Sequence, residues 1–164
     1  MSAPRDRVLV VEDERAQRDA LSQYLGRLGH PVTAVATGEE AVGLLASGSY
    51  AILITDLRLP GMSGLDVVRR AHELDEELGV LLMTAYASVE SAIEALRVGA
   101  HDYLLKPLIL EEVARKVRGL VEQREVRIAP AAPASYQQRL LVRVQDPIRG
   151  RRNSFARGEK VAND

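Results

Sequence analysis

The sequence predicts an α/β domain, a doubly wound three-layer arrangement in which five parallel strands form a central sheet with helices on both faces. Three observations carry that prediction. Val, Leu and Ile runs of strand length recur without polar alternation at 7–11, 50–55 and 79–84, the pattern of parallel strands covered on both sides. Between them lie apolar residues at helical spacing, several closed by glycine. The strand-then-helix alternation repeats five times in about 120 residues, and connections that short require right-handed crossovers onto a parallel sheet.

Arg7-Val8-Leu9-Val10-Val11 is a β-branched run that closes on Glu12-Asp13, a buried strand with charge at its carboxyl end. Leu21, Tyr24, Leu25 and Leu28 follow at i, i+3, i+4 and i+7, and Gly29 stops that helix. Pro31 to Ala36 is a weaker, alternating strand; Thr37 and Glu40 match a capping box for a helix running through Val42, Leu44 and Leu45 to Gly48. Tyr50 to Thr55 forms the central strand and delivers Asp56, after which 60–64 make a loop and Leu65, Val68 and Ala71 open a third helix. The run at 79–84 is a fourth strand ending on a hydroxyl, Thr84. Ser88 is the expected N-cap of a helix carrying Val89, Ala92, Ile93 and Leu96, with Gly99 as its stop. Asp102 to Leu105 is a short fifth strand leading into Lys106-Pro107, and Val113, Val117, Leu120 and Val121 are the stripe of a last helix ending near Arg124. No glycine-rich phosphate loop of the dinucleotide or Walker type is present.

The totals agree with one domain and a tail. The chain has 164 residues, 46% hydrophobic, and no cysteine, which excludes a disulfide framework and thiol chemistry and fits a reducing compartment. No apolar run approaches the roughly 18–20 residues of a membrane span, and the first residues lack the apolar core of a secretory signal. The expectation is a soluble, cytoplasmic protein. The net charge of −1 conceals an asymmetry: residues 125–164 hold eight Arg and Lys against four acids, leaving 14 basic and 19 acidic groups in 1–124. Residues 1–124 are therefore read as the folded domain. Residues 125–164, with the Pro-Ala stretch 129–134 and an arginine-rich end, are read as a linker and a basic, disordered tail.

In such a sheet Glu12, Asp13, Asp56, Thr84 and Lys106 stand at the carboxyl ends of four strands on one edge, where open α/β sheets bind ligands. Each alone has a plain explanation: Asp56 before a Pro-Gly turn, Glu12-Asp13 at a helix start, Lys106 as a solvated surface group. Together they make a cup of three carboxylates for a hard, oxygen-seeking cation, best matched by Mg²⁺, with a hydroxyl and an ammonium opposite. The set suits phosphoryl transfer to a carboxylate: Asp56 attacks phosphorus, the cation neutralises phosphoryl oxygens, and Lys106 and Thr84 take the others.

Residues 7 to about 124 resemble the receiver domain of a two-component response regulator. The resemblance rests on Glu12-Asp13 after a Val-Val pair, on Asp56-Leu57-Arg58-Leu59-Pro60-Gly61-Met62-Ser63-Gly64, on Met83-Thr84-Ala85 and on Lys106-Pro107, in that order. It implies a flavodoxin-like (βα)5 fold and a phosphoryl group accepted on Asp56 from a sensor histidine kinase. It implies Mg²⁺ bound directly by Asp13, Asp56 and the main-chain carbonyl of Arg58, with Glu12 acting through water, and a cis Lys106-Pro107 bond (cis-proline Pro107). It further implies that Thr84 moves toward the phosphoryl group, that Tyr103 rotates inward behind it, and that the face of the fourth helix, fifth strand and fifth helix repacks as the output, with homodimerisation through that face one use of it. Arg58 and Tyr86 flank the pocket mouth, where family members tune dephosphorylation. The run from Thr84 to Pro107 looks most like receivers that precede sigma-54-dependent activators, yet the Walker motif and DNA-binding helix-turn-helix that would follow are absent from these 164 residues. The chain is expected to be such a regulatory fragment or a stand-alone regulator, with its effector unnamed. It is not expected to be an enzyme beyond its own phosphorylation and dephosphorylation.

Three other readings are weaker. A dehalogenase-type aspartyl-phosphate enzyme wants a second acid two residues after the nucleophile, where this chain has Arg58. A pseudo-receiver that only docks would have lost a site position, and none is lost. The basic tail could hold nucleic acid non-specifically, but only Tyr136 and Phe155 interleave its arginines and no reading helix is evident. His30, His72 and His101 have no ligand spacing and are assigned no chemistry.

Overall fold

The structure is a computed structural model of the chain and describes residues 6–86 and 88–128. Five strands, β1 (Val8–Val11), β2 (Val32–Val35), β3 (Ile52–Asp56), β4 (Gly79–Thr84) and β5 (Asp102–Leu105), alternate with helices α1 (Arg15–Arg27), α2 (Gly38–Ser47), α3 (Gly64–Leu74), α4 (Val89–Arg97) and α5 (Leu110–Ile128). All four strand pairings are parallel and the order is β2-β1-β3-β4-β5, the flavodoxin-like arrangement.

The absence of polar alternation has its reason in the two cores. Odd positions of β1 and β3, Leu9, Val11 and Leu53, join Val80 and Leu82 against Ala41 of α2, Val67, Val68 and Ala71 of α3 and Ala95 of α4. Even positions, Val8, Val10, Ile52 and Ile54, join Leu81, Met83 and Leu104 against Leu21 and Leu25 of α1 and Val113 and Val117 of α5. Central strands are therefore buried at every position, whereas β2 at one edge is half-buried throughout and reads as the weaker strand in sequence.

Helix starts follow hydroxyl chemistry. Thr37, Ser63 and Ser88 accept backbone N–H groups of Glu40, Asp66 and Ser91 at 3.2, 3.2 and 3.1 Å, each satisfying a donor the helix leaves orphaned. Ser88 and Ser91 complete a reciprocal box, while the Glu40 carboxylate answers through the Thr37 hydroxyl at 3.0 Å. Gly29 and Gly99, the expected stops of α1 and α4, have φ of +94° and +100°, the left-handed conformation that ends a helix.

Helix α5 is longer than its stripe suggests, continuing past Arg124 to Ile128. The segment 123–127 contains no breaker, and the first obstacle is Pro130, which disfavours helix in the residue before it. By contacts the chain divides after Glu125. The expected linker and tail lie outside the described residues from 129 onward. Among the described residues no helix is long and apolar enough to cross a membrane.

Candidate phosphoacceptor site

The sheet brings the acids together by register. Val11 of β1 lies opposite Thr55 of β3, so Glu12, one step beyond, faces Asp56. The strand order reverses at β1, whose neighbours are β2 and β3, and the crevice at such a switch point is where these sheets bind ligands. Glu12 and Asp56 are buried, Asp13 is exposed, and one carboxylate oxygen from each lies within 4.8 Å of the others.

Lys106, just past β5, reaches into this cluster. Its Nζ donates to Asp56 Oδ2 at 2.6 Å and to Glu12 Oε2 at 2.7 Å. Asp56 Oδ1 accepts the Arg58 N–H at 3.2 Å, and Glu12 Oε1 accepts the Glu14 N–H at 3.1 Å. Burial pushes the Glu12 pKa up, Lys106 and the Glu14 N–H oppose it, and the Asp56 charge adds to the rise. Burial also pulls the Lys106 ammonium down, but the hydrogen bonds and charges of Asp56 and Glu12 outweigh it, and its pKa is raised. One ammonium thus answers three carboxylates.

That imbalance is the site's chemical statement. Mg²⁺ is bound by one or two carboxylates together with other oxygens and water, and Glu12, Asp13 and Asp56 each bring one carboxylate oxygen within 4.8 Å of the others. The residues present fit a hard divalent cation.

The other expected residues are placed differently. Thr84 ends β4 on the same edge, but its hydroxyl donates to the Tyr86 carbonyl and accepts the Tyr86 N–H, both at 3.0 Å. Tyr103 is half-buried and lines, with Thr84, Leu57, Leu82, Ser91, Ala92 and Ala95, a narrow cleft between β4 and α4. Arg58 and Tyr86 are at the rim, the guanidinium 5.0 Å over the Tyr86 ring. The Arg58 contact to Asp56 is through its N–H. The Lys106-Pro107 bond is cis. His72 Nε2 bonds the Gly99 carbonyl at 2.8 Å and His101 Nδ1 accepts the Val80 N–H at 3.0 Å.

Two supporting residues have roles that the sequence does not assign. Gly64 opens α3 against the end of β3: a Cβ there would lie 2.0 Å from the Asp56 carbonyl oxygen and 2.8 Å from Leu57 Cα, and its N–H donates to Leu57 O at 3.0 Å. Glu39 of α2 accepts the Met62 N–H at 3.0 Å and so ties down the loop after Asp56. The sequence shows Gly64 only as a loop glycine and Glu39 only as a first-turn acid; tertiary proximity gives them their roles.

Residues 8–118 match the family model for the response regulator receiver domain. The response regulator protein FleR of Pseudomonas aeruginosa is 41% identical, over 77% of this chain and 28% of its own length; the response regulator MprA of a Mycobacterium species is 35% identical, over 78% of this chain and 56% of its own. The chain thus spans between about a quarter and about half of these relatives. A CheY-like response regulator receiver domain protein from Methanospirillum hungatei superposes with a TM-score of 0.72 at 28% identity, covering 74% of this chain and 98% of that one. Conventional receiver domains are signalling modules rather than enzymes, and they bind Mg²⁺ at acidic residues. The chain belongs to the response regulator receiver domain family.

Proposed function

We propose that Asp56 is the phosphoacceptor, taking a phosphoryl group from a phosphohistidine of a sensor histidine kinase, with residues 1–124 as the unit that does so. The observation that carries the reading is the convergence of Asp56, Glu12 and Asp13 within 4.8 Å, with Lys106 bridging Asp56 and Glu12. An Asp56 oxygen attacks phosphorus, the P–N bond to the donor imidazole breaks, and an acyl phosphate forms while the imidazole leaves with a proton. Lys106, already 2.6 Å from Asp56, moves onto a phosphoryl oxygen and offsets its charge. Asp13, Asp56 and the Arg58 carbonyl would hold Mg²⁺, with Glu12 through water; the ion supplies charge neutralisation at the phosphoryl oxygens.

The output follows from what the new charge attracts. The Thr84 hydroxyl exchanges its bonds to the Tyr86 main chain for a phosphoryl oxygen, which vacates the cleft into which Tyr103 turns. The surface that then repacks is α4-β5-α5, and it supports a docking role: Val89, Ile93 and Leu96 lie at i, i+4 and i+7 on α4 with exposures of 77, 45 and 63%, beside exposed Leu105 and Ile109. The partner there is a second phosphorylated copy or a downstream effector. Arg58 and Tyr86, stacked across the mouth, set the access of hydrolytic water.

The test is intact-mass spectrometry after incubation with acetyl phosphate. A single phosphoryl adduct that requires Mg²⁺ and is lost in D56N supports the reading. An adduct that survives D56N, or a protein that neither accepts phosphoryl from acetyl phosphate and a kinase nor binds Mg²⁺, overturns it.

A further inference from the structure

Helix α1 begins differently from its neighbours. Helices α2, α3 and α4 start on Thr37, Ser63 and Ser88, whose side chains fix the entering turn, but α1 starts on Glu14, whose side chain makes no cap hydrogen bond. That uncapped turn carries Glu12 and Asp13. Besides the Glu14 N–H bond to Glu12 Oε1, a basic residue inside the helix fixes the turn: Arg18 Nη1 donates to the Glu12 carbonyl at 2.9 Å and to the Asp13 carbonyl at 3.2 Å. One guanidinium nitrogen thereby holds the backbone of both residues whose carboxylates approach Asp56.

We propose that Arg18 is a positioning residue for the cation site: by gripping the two carbonyls it keeps the Glu12 and Asp13 carboxylates aimed at Asp56 and so raises Mg²⁺ affinity. The inference rests on the reading of this cluster as a Mg²⁺ site. Two effects of Arg18 have opposite signs. Its positive charge repels a dication, but the side chain is half-exposed and solvent and salt screen that repulsion. Its hydrogen bonds preorganise two ligands, and losing such an orienting partner typically weakens metal binding about 10–100-fold. Geometry therefore decides the sign.

The experiment is calorimetric titration of the full chain with MgCl₂, without phosphodonor, on wild type, Arg18→Met, Arg18→Lys and Arg15→Met. Arg15 is the control, with the same charge on the same helix, 85% exposed and paired with Asp19. The expected result is roughly 10-fold weaker binding for Arg18→Met, partial recovery in Arg18→Lys, and no change in Arg15→Met. The amide resonances of Glu12, Asp13 and Glu14 should shift in metal-free Arg18→Met, a signature that loss of charge alone does not produce. If Arg18→Met does not fold, Arg18→Lys carries the test with an expected severalfold weakening. Equal or tighter binding in the Arg18 variants, or equal weakening in Arg15→Met, overturns the inference while leaving the phosphoacceptor reading intact. A wild type that binds no Mg²⁺ overturns this inference, and overturns the phosphoacceptor reading as well if no phosphoryl adduct forms.

Discussion

The carboxylate edge and the α4-β5 side of the same sheet are held in opposite ways. At the edge, buried Asp56 and Glu12 are locked by half-buried Lys106 through bonds of 2.6 and 2.7 Å, the turn before α1 is pinned by Arg18, and Gly64 seats α3 against the Asp56 backbone. Across β4, the Thr84 hydroxyl is satisfied by the Tyr86 main chain, and α4 shows Val89, Ile93 and Leu96 to solvent. The first region is rigid and electrostatically unbalanced; the second is balanced and weakly committed. On the reading proposed above, a charge change in the first is read out by movement in the second.

The contrast breaks most completely at Asp56. D56N should abolish the phosphoryl adduct while leaving the fold unchanged by circular dichroism. Next, G64A forces a Cβ to within 2.0 Å of the Asp56 carbonyl. It should destabilise the protein by about 3 kcal/mol in urea unfolding, the range for overpacking a site that must shift backbone. The same variant should label more slowly, because the backbone that yields is the one carrying Asp56.

The balance of charge at the edge gives a pH prediction. Because the Glu12 pKa is raised above its ordinary 4.5, the folded state holds that proton more tightly than the unfolded chain does. Its contribution to stability is full below 4.5 and declines as pH rises through the raised value. In EDTA, E12Q should remove that decline, and wild type and variant should diverge as pH rises. Lys106 behaves likewise at the other end, with stability present below 10.5 and lost as pH climbs through its raised value.

On the weakly committed side the effects are smaller. T84A should cost about 1 kcal/mol, the net worth of a hydrogen bond to the main chain, and should accept phosphoryl normally yet fail to alter the α4 face. I93K should change stability by less than about 0.5 kcal/mol, as surface substitutions do. If the face docks a second copy, I93K should abolish phosphorylation-dependent dimerisation in sedimentation velocity.

This division also explains what the sequence made legible. Uninterrupted runs such as Ile52–Ile54 announce parallel strands because both faces are covered, and strand ends in one parallel sheet must share an edge, so Glu12, Asp56, Thr84 and Lys106 could be gathered before any coordinates. The end of α5 was misjudged because its last turns need no apolar stripe, only the absence of a breaker. The roles of Gly64, Glu39 and Arg18 are hidden for a different reason: each acts through a main-chain atom of a distant or folded-back segment, and a backbone contact leaves no pattern in side-chain types. The Thr84 hydroxyl was expected at the phosphoryl site, whereas without that charge it turns to Tyr86.

The central claim, that charge placed at the edge moves the opposite side, is tested most directly by amide and tyrosine NMR shifts on adding beryllium fluoride with Mg²⁺ as a phosphoryl mimic. The account predicts large shifts at Thr84, Tyr86, Tyr103 and along α4, all lost in T84A. Shifts confined to Glu12–Glu14 and Asp56–Arg58 would contradict it.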